Sequence, residues 1–124
     1  MALAKDVMQG GFSAGQAKAL GGGYAAITAT GSTITDAAPL TASNCMVTAG
    51  DGTVGVALAC NVGDSVWVFN NSGSTLKVYP EALAAISVAG TGTGTVAAAF
   101  SQLTYKTTVY VKITSTQYLA NTSA

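Results

Sequence analysis

Two runs of alternating residues decide the fold class: Ser65-Val-Trp-Val-Phe-Asn70 and Thr75-Leu-Lys-Val-Tyr79. Asn71-Ser-Gly-Ser74 stands between them and Pro80 follows. Residues of β-branched and aromatic type at period two fit a pleated strand with one buried face. The four connecting residues are all turn formers, so the pair reads as a β-hairpin. Pro80 closes the second strand, because it cannot donate to a ladder.

The same signature extends in both directions. Tyr24–Thr30 and Thr33–Thr35 read as weak strands about a Gly31-Ser32 turn, and Cys45–Thr48 follows. After Gly50-Asp51-Gly52 comes Val54–Ala59, and then an Asn61–Asp64 turn. Ala82–Val88 fits either one turn of helix or a strand, and 90–95 is a Gly-Thr loop. Val96–Phe100, Lys106–Ile113 and Gln117–Ala120 complete the set, leaving 121–124 as a tail. Turn signals every 8–12 residues, with no helical window long enough for a βαβ crossover, predict an all-β fold. The expected architecture is an antiparallel sandwich or jelly-roll-like barrel over residues 24–124. No repeat of the solenoid type is visible.

Residues 1–23 differ. Ser13 and Gln16 fit a capping box ahead of Ala17–Leu20, and glycines at 10–11 and 21–23 bound the segment. This predicts a short, partly helical N-terminal arm hinged at both ends, with Phe12 and Leu20 available to dock on a neighbour.

Composition narrows the function. Of 124 residues, 23 are Ala, 17 Thr, 15 Gly and 10 Ser, while five Lys balance five acids and neither Arg nor His occurs. Without Arg there is no bidentate fork for phosphate, and five scattered Lys make no footprint for nucleic acid. Without His the commonest general base and metal ligand are both missing, so no catalytic residue, metal or cofactor is expected. The longest apolar runs are far too short to span a bilayer, so no membrane partner is expected. Lys5-Asp6 stands where a secretory leader would be apolar, which predicts synthesis in a cytoplasm without export. Cys45 and Cys60 lack the spacing of a zinc site and read as two small free thiols, a disulfide being the alternative.

Gly50-Asp-Gly-Thr-Val-Gly55 matches the dinucleotide fingerprint in letters only, because a β-patterned run follows it where the motif needs a helix. Asp36, Asp51, Asp64 and Glu81 fall in predicted turns, where aspartate most often bonds nearby backbone, and no paired-carboxylate site is expected from them. The informative side chains are aromatic. Trp67, Phe69, Tyr79 and Tyr110 alternate with Val66/Val68, Leu76/Val78 and Val109/Val111, which predicts aliphatics on one face and aromatics on the other. An aromatic face suits a subunit or partner contact and, less well, a sugar platform. With Phe12, Leu20 and Tyr24, these four are the candidate assembly contacts. A small all-β chain of small side chains buries little apolar area, and so few charges leave its sheet edges unprotected. Self-association is therefore expected.

The stretch Asp64–Pro80, the apolar run ending at Ile86, Thr116-Gln-Tyr118 and the N-terminal Phe12–Gly21 resemble small virion proteins of tailed bacteriophages. Tyr118 stands where that group commonly has Trp. The resemblance implies an all-β capsid-decoration (cement) protein, often a homotrimer, seated on the outer capsid surface and contacting the major capsid protein. It equally implies a head-fibre or neck component that binds a receptor or glycan.

Overall fold

The computed structural model describes residues 23–88 and 94–123, and these contain strands and turns but no helix. The N-terminal arm, with Phe12 and Leu20, lies outside the described residues, as does most of the Gly-Thr loop. Ten strands form two sheets: β1 Tyr24–Thr28, β2 Ala38–Pro39, β3 Asn44–Ala49, β4 Gly55–Ala57, β5 Ser65–Asn70, β6 Leu76–Tyr79, β7 Ala85–Val88, β8 Phe100–Gln102, β9 Thr107–Thr114 and β10 Gln117–Thr122. The six-stranded sheet runs β1-β3-β5-β9-β10-β7 and the four-stranded sheet β2-β4-β6-β8. All-β is right, but both sheets are mixed, and the antiparallel expectation is corrected.

The first six strands alternate between the sheets and pair in parallel with the strand two ahead: β1 with β3 and β3 with β5, β2 with β4 and β4 with β6. The chain therefore winds three times as a coil. The rows Tyr24–Asn44–Trp67 and Ala38–Val56–Val78 are in register across successive windings. A solenoid-like repeat of roughly twenty residues is present after all. Its positions share only alternation, so letters do not reveal it.

The expected hairpin is likewise an arch. β5 and β6 lie in opposite sheets and face each other through their side chains. The Asn70 side chain organises the corner. Its amide donates to Ser74 O at 2.8 Å and Gln102 O at 3.0 Å, and its Oδ1 accepts from Ser72 Oγ at 2.7 Å. Asn71 N meanwhile donates to Val47 O at 2.9 Å, extending the parallel ladder rather than folding back. Antiparallel pairing enters later. β9 runs antiparallel to β5 and to β10, and β8 antiparallel to β6. β9–β10 is the true hairpin among the described residues.

Other boundaries also moved. Thr33–Thr35 is a turn, because Asp36 Oδ1 accepts from both Thr33 N and Thr33 Oγ1. The helix-or-strand segment resolves as β7, Val96 makes only an isolated bridge to Ala85, and β10 takes in Asn121 and Thr122 from the expected tail.

Inward residues fill the space between the sheets: Cys45, Val47, Val66, Val68, Tyr110, Tyr118 and Ala120 from one, Val56, Leu76 and Val78 from the other. A polar bridge crosses this interior. Gln102, on β8, is buried, and its amide donates to Val68 O at 2.8 Å and Lys106 O at 2.9 Å. Tyr110, on β9, donates its hydroxyl to Gln102 Oε1 at 2.9 Å and meets the Phe100 ring edge to face. Every polar end in this bridge is satisfied, as burial requires.

Candidate functional site

The outer face of the six-stranded sheet carries Tyr24, Asn44, Met46, Trp67, Phe69 and Thr107 around a shallow hollow of about 170 Å³. Strand register places them. Tyr24, Asn44 and Trp67 form one row across β1, β3 and β5, and Ala26, Met46 and Phe69 form the next. Tyr24 is 62% exposed and Trp67 47% exposed, far more than large aromatic side chains usually are. Val66 and Val68 face inward between these positions, so the predicted division of β5 into an aliphatic and an aromatic side holds. Asn44 donates its amide to Gly23 O at 2.9 Å, which ties the carboxamide to the backbone just before β1.

No strand of this sheet turns a charged side chain outward among the described residues. Lys112 on β9 points into the interior, and Lys77 belongs to the other sheet. Asp36, Asp51 and Asp64 sit in turns, where each accepts from nearby backbone N–H groups.

Tyr79 and Tyr110 are not on the aromatic face. Tyr110 is fully buried on the inner side of β9, where Val109 and Val111 face outward instead. Tyr79 is buried against Gly55 and donates its hydroxyl to Ser32 O at 2.7 Å, tying the first loop to β6. Tyr110 belongs to the interior, whereas Tyr79 stands on the opposite side of β6 from Leu76 and Val78 and is covered there by the first loop. For Tyr79 the reason is that β6 lies in the other sheet, and for Tyr110 it is phase. Where both parities of a strand are apolar, alternation does not say which parity is inside.

A second edge of interest is the open end of the coil. Among the described residues β1 pairs only with β3, and β2 only with β4. Neither edge strand carries a charge or an inward-pointing Lys. Ile27, Ala38 and Leu40 pack on the core from this end while remaining partly exposed. The opposite border is covered in the six-stranded sheet, where Ala97 N donates to Ala84 O at 2.8 Å and Gly94 N to Ser87 Oγ at 3.0 Å beside β7, while β8 ends the four-stranded sheet paired with β6.

Among the described residues, one tight cluster of titratable groups joins the two sheets at one end of the interior. Lys112 Nζ donates to Glu81 Oε1 at 3.1 Å and to Cys60 O at 3.0 Å, and lies 5.4 Å from the Tyr118 ring centroid. Tyr118 donates its hydroxyl to the same Glu81 oxygen at 2.8 Å and accepts from Cys60 N at 3.1 Å. Burial by itself would raise the Glu81 carboxyl. The hydrogen bonds from Tyr118 and Lys112, with the lysine charge, outweigh it and hold the group below its ordinary range. Burial first, then the Glu81 charge nearby, pushes the Tyr118 phenol up. Cys45 and Cys60 are free, and burial raises both thiols, the opposite of what a nucleophilic thiolate needs. The cluster is an inter-sheet clamp. Neither Glu81 nor Lys112 stood out in the sequence, since each partner lies 31 or more residues away.

Groups of three or more His, Cys, Asp or Glu placed to hold a metal do not occur among the described residues, and no helix there could cross a membrane. Comparison with protein families, curated proteins and solved structures returned no match.

Proposed function

We propose that the chain is a structural assembly protein, a capsid-decoration protein of the tailed-bacteriophage kind, acting through contacts with its own copies and a major capsid protein rather than through catalysis. The observation that carries this reading is the open end of the coil. Among the described residues two uncharged strands, β1 of the six-stranded sheet and β2 of the four-stranded sheet, each lack a partner on one side, with partly covered Ile27, Ala38 and Leu40 behind them. Unpaired N–H and C=O groups at a free edge template pairing with another chain; β2 is two residues long and ends in Pro39, so the edge that matters is the uncharged stretch of β1 ahead of its bulge at Ile27/Thr28. Leaving such an edge bland suits a protein whose neighbours arrive at fixed positions. A surface made of Thr, Ser, Ala and Gly lets backbones approach closely at such contacts. The pattern resemblance of Asp64–Pro80 and Phe12–Gly21 to small virion proteins supplies the station on the outer capsid surface, and a homotrimer as the working unit.

The test is native mass spectrometry of the purified chain, followed by incubation with capsid shells lacking it. A trimer that loads onto shells at hundreds of copies supports the reading. Thr28→Lys, which places a charge on the exposed side of β1, then weakens both steps. A chain that stays monomeric at tens of micromolar and leaves shells bare refutes it.

A further inference from the structure

We infer that the hollow between Tyr24 and Trp67 binds one ring of a neutral carbohydrate. The assembly role above rests on the coil end, so this inference stands or falls separately. Tyr24 and Trp67 occupy the same row with only Asn44 between them, which sets their backbones two strand spacings apart, about 9.5 Å. Two side chains that far apart leave room for one flat group between them and not for two. The hollow's volume of about 170 Å³ agrees, since sites for drug-sized ligands start near 300 Å³.

Chemistry selects among flat groups. With no charged side chain on this face, nothing favours a phosphate, a uronate or a cation. Nor is the face simply greasy. The walls are almost wholly apolar, formed by Met46, Phe69 and the two aromatic rings with Asn44 and Thr107 beside them, but Tyr24 and Trp67 each end in a polar atom. A pyranose has the matching character, with C–H groups on its faces to lie against rings and hydroxyls on its rim to reach amides and hydroxyls. A lipid tail would use the walls and waste the polar tips. The platform is also preformed: Phe69 and Thr107 are paired across β5 and β9, and Asn44 is held by Gly23. Binding therefore costs little ordering.

The full chain, labelled with ¹⁵N, is titrated separately with cellotetraose, maltotetraose and tetra-N-acetylchitotetraose. Trp67 is the only tryptophan, so its indole N–H is a single unambiguous resonance. Saturable movement of that resonance and of the Asn44 carboxamide by at least one of the sugars is expected. Tyr24→Ala weakens the same titration about tenfold, the loss of one ring contact, while leaving the amides of β9 and β10 in place. Trp67→Ala, followed at Asn44, does the same. The inference is overturned if none of the sugars moves the indole at about 10 mM, where a Kd of 1 mM would be close to saturation. It is equally overturned if the shifts survive both variants, or if an apolar peptide saturates the site and the sugars do not.

Discussion

Replacing Gln102 by leucine tests whether the polar bridge between the sheets holds the fold together. The shapes are similar, so little cavity forms, but three hydrogen bonds go: two donated to Val68 O and Lys106 O and one accepted from Tyr110. Their consequences differ. Lys106 O keeps the bond from Asn70 N, so it is not orphaned. The Tyr110 hydroxyl is left in a fully buried site without its acceptor, which costs about 1–3 kcal/mol. The other lost bonds add about 1 kcal/mol each in net terms, and the gained apolar contact offsets part of that. The sum is about 3 kcal/mol, a large fraction of the 5–15 kcal/mol that holds a typical domain. Equilibrium unfolding in guanidinium, followed by Trp67 emission, reads it directly. Tyr110→Phe alone removes the donor, leaves Gln102 Oε1 unmatched, and costs about 1–2 kcal/mol. The double variant has neither orphan, so it is less damaged than the two singles summed, by about 1–2 kcal/mol. If the two effects add within about 0.5 kcal/mol, the two groups do not act as a unit and the bridge is not what couples the sheets.

Acid stability follows from Glu81. Its carboxyl is held below the ordinary range in the folded chain, so the clamp's contribution is full above the unfolded-state value near 4.3 and is lost as pH falls through the lower folded value. Glu81→Gln therefore flattens the acid limb of a Tm-against-pH curve below about pH 4.5 and leaves the curve's shape near neutrality alone; an unchanged acid limb contradicts the clamp. Close winding of the coil is tested at Gly55, where an added Cβ would stand 2.3 Å from Lys77 O and 2.9 Å from the Tyr79 ring. Gly55→Ala forces β4 and β6 apart and costs about 1–3 kcal/mol or more in denaturant unfolding. Gly50→Ala, whose Cβ would meet nothing nearer than 3.5 Å, serves as the near-silent control, and equal losses at both positions refute the tight packing.

The strands were legible, and their partners were not. Alternation in Ser65–Asn70 and Leu76–Tyr79 marks two strands with one apolar side each, and that is the whole of its content. A hairpin sets Val66/Val68 and Leu76/Val78 side by side on one face, and an arch sets them opposite one another, yet the patterns are identical. What selects the arch is Asn70, whose side chain binds the corner while Asn71 stays on the ladder of β3. Trp67 could be assigned to the outer face because its neighbours Val66 and Val68 are plainly core residues. Tyr110 could not, since Val109 and Val111 compete for the interior and lose to a tyrosine whose hydroxyl has a buried acceptor waiting on β8. That acceptor, Gln102, is eight residues away and had no local signal at all.

Parallel winding also explains why the molecule has two such different borders. A coil that advances by one strand spacing per turn does not close on itself, and among the described residues its first winding leaves β1 and β2 without a pairing partner along one side. At the other side the chain abandons parallel pairing. β9 and β8 bind β5 and β6 from the far flank, β10 returns beside β9, and β7 is roofed by residues 94–97. Antiparallel closure has thus been applied to one border only. A chain able to build that closure once, from ordinary Thr- and Val-rich strands, had the means to build it twice. Among the described residues the unpaired side is flanked by the uncharged row of Tyr24, Asn44 and Trp67, which starts on β1 and crosses all three windings to β5.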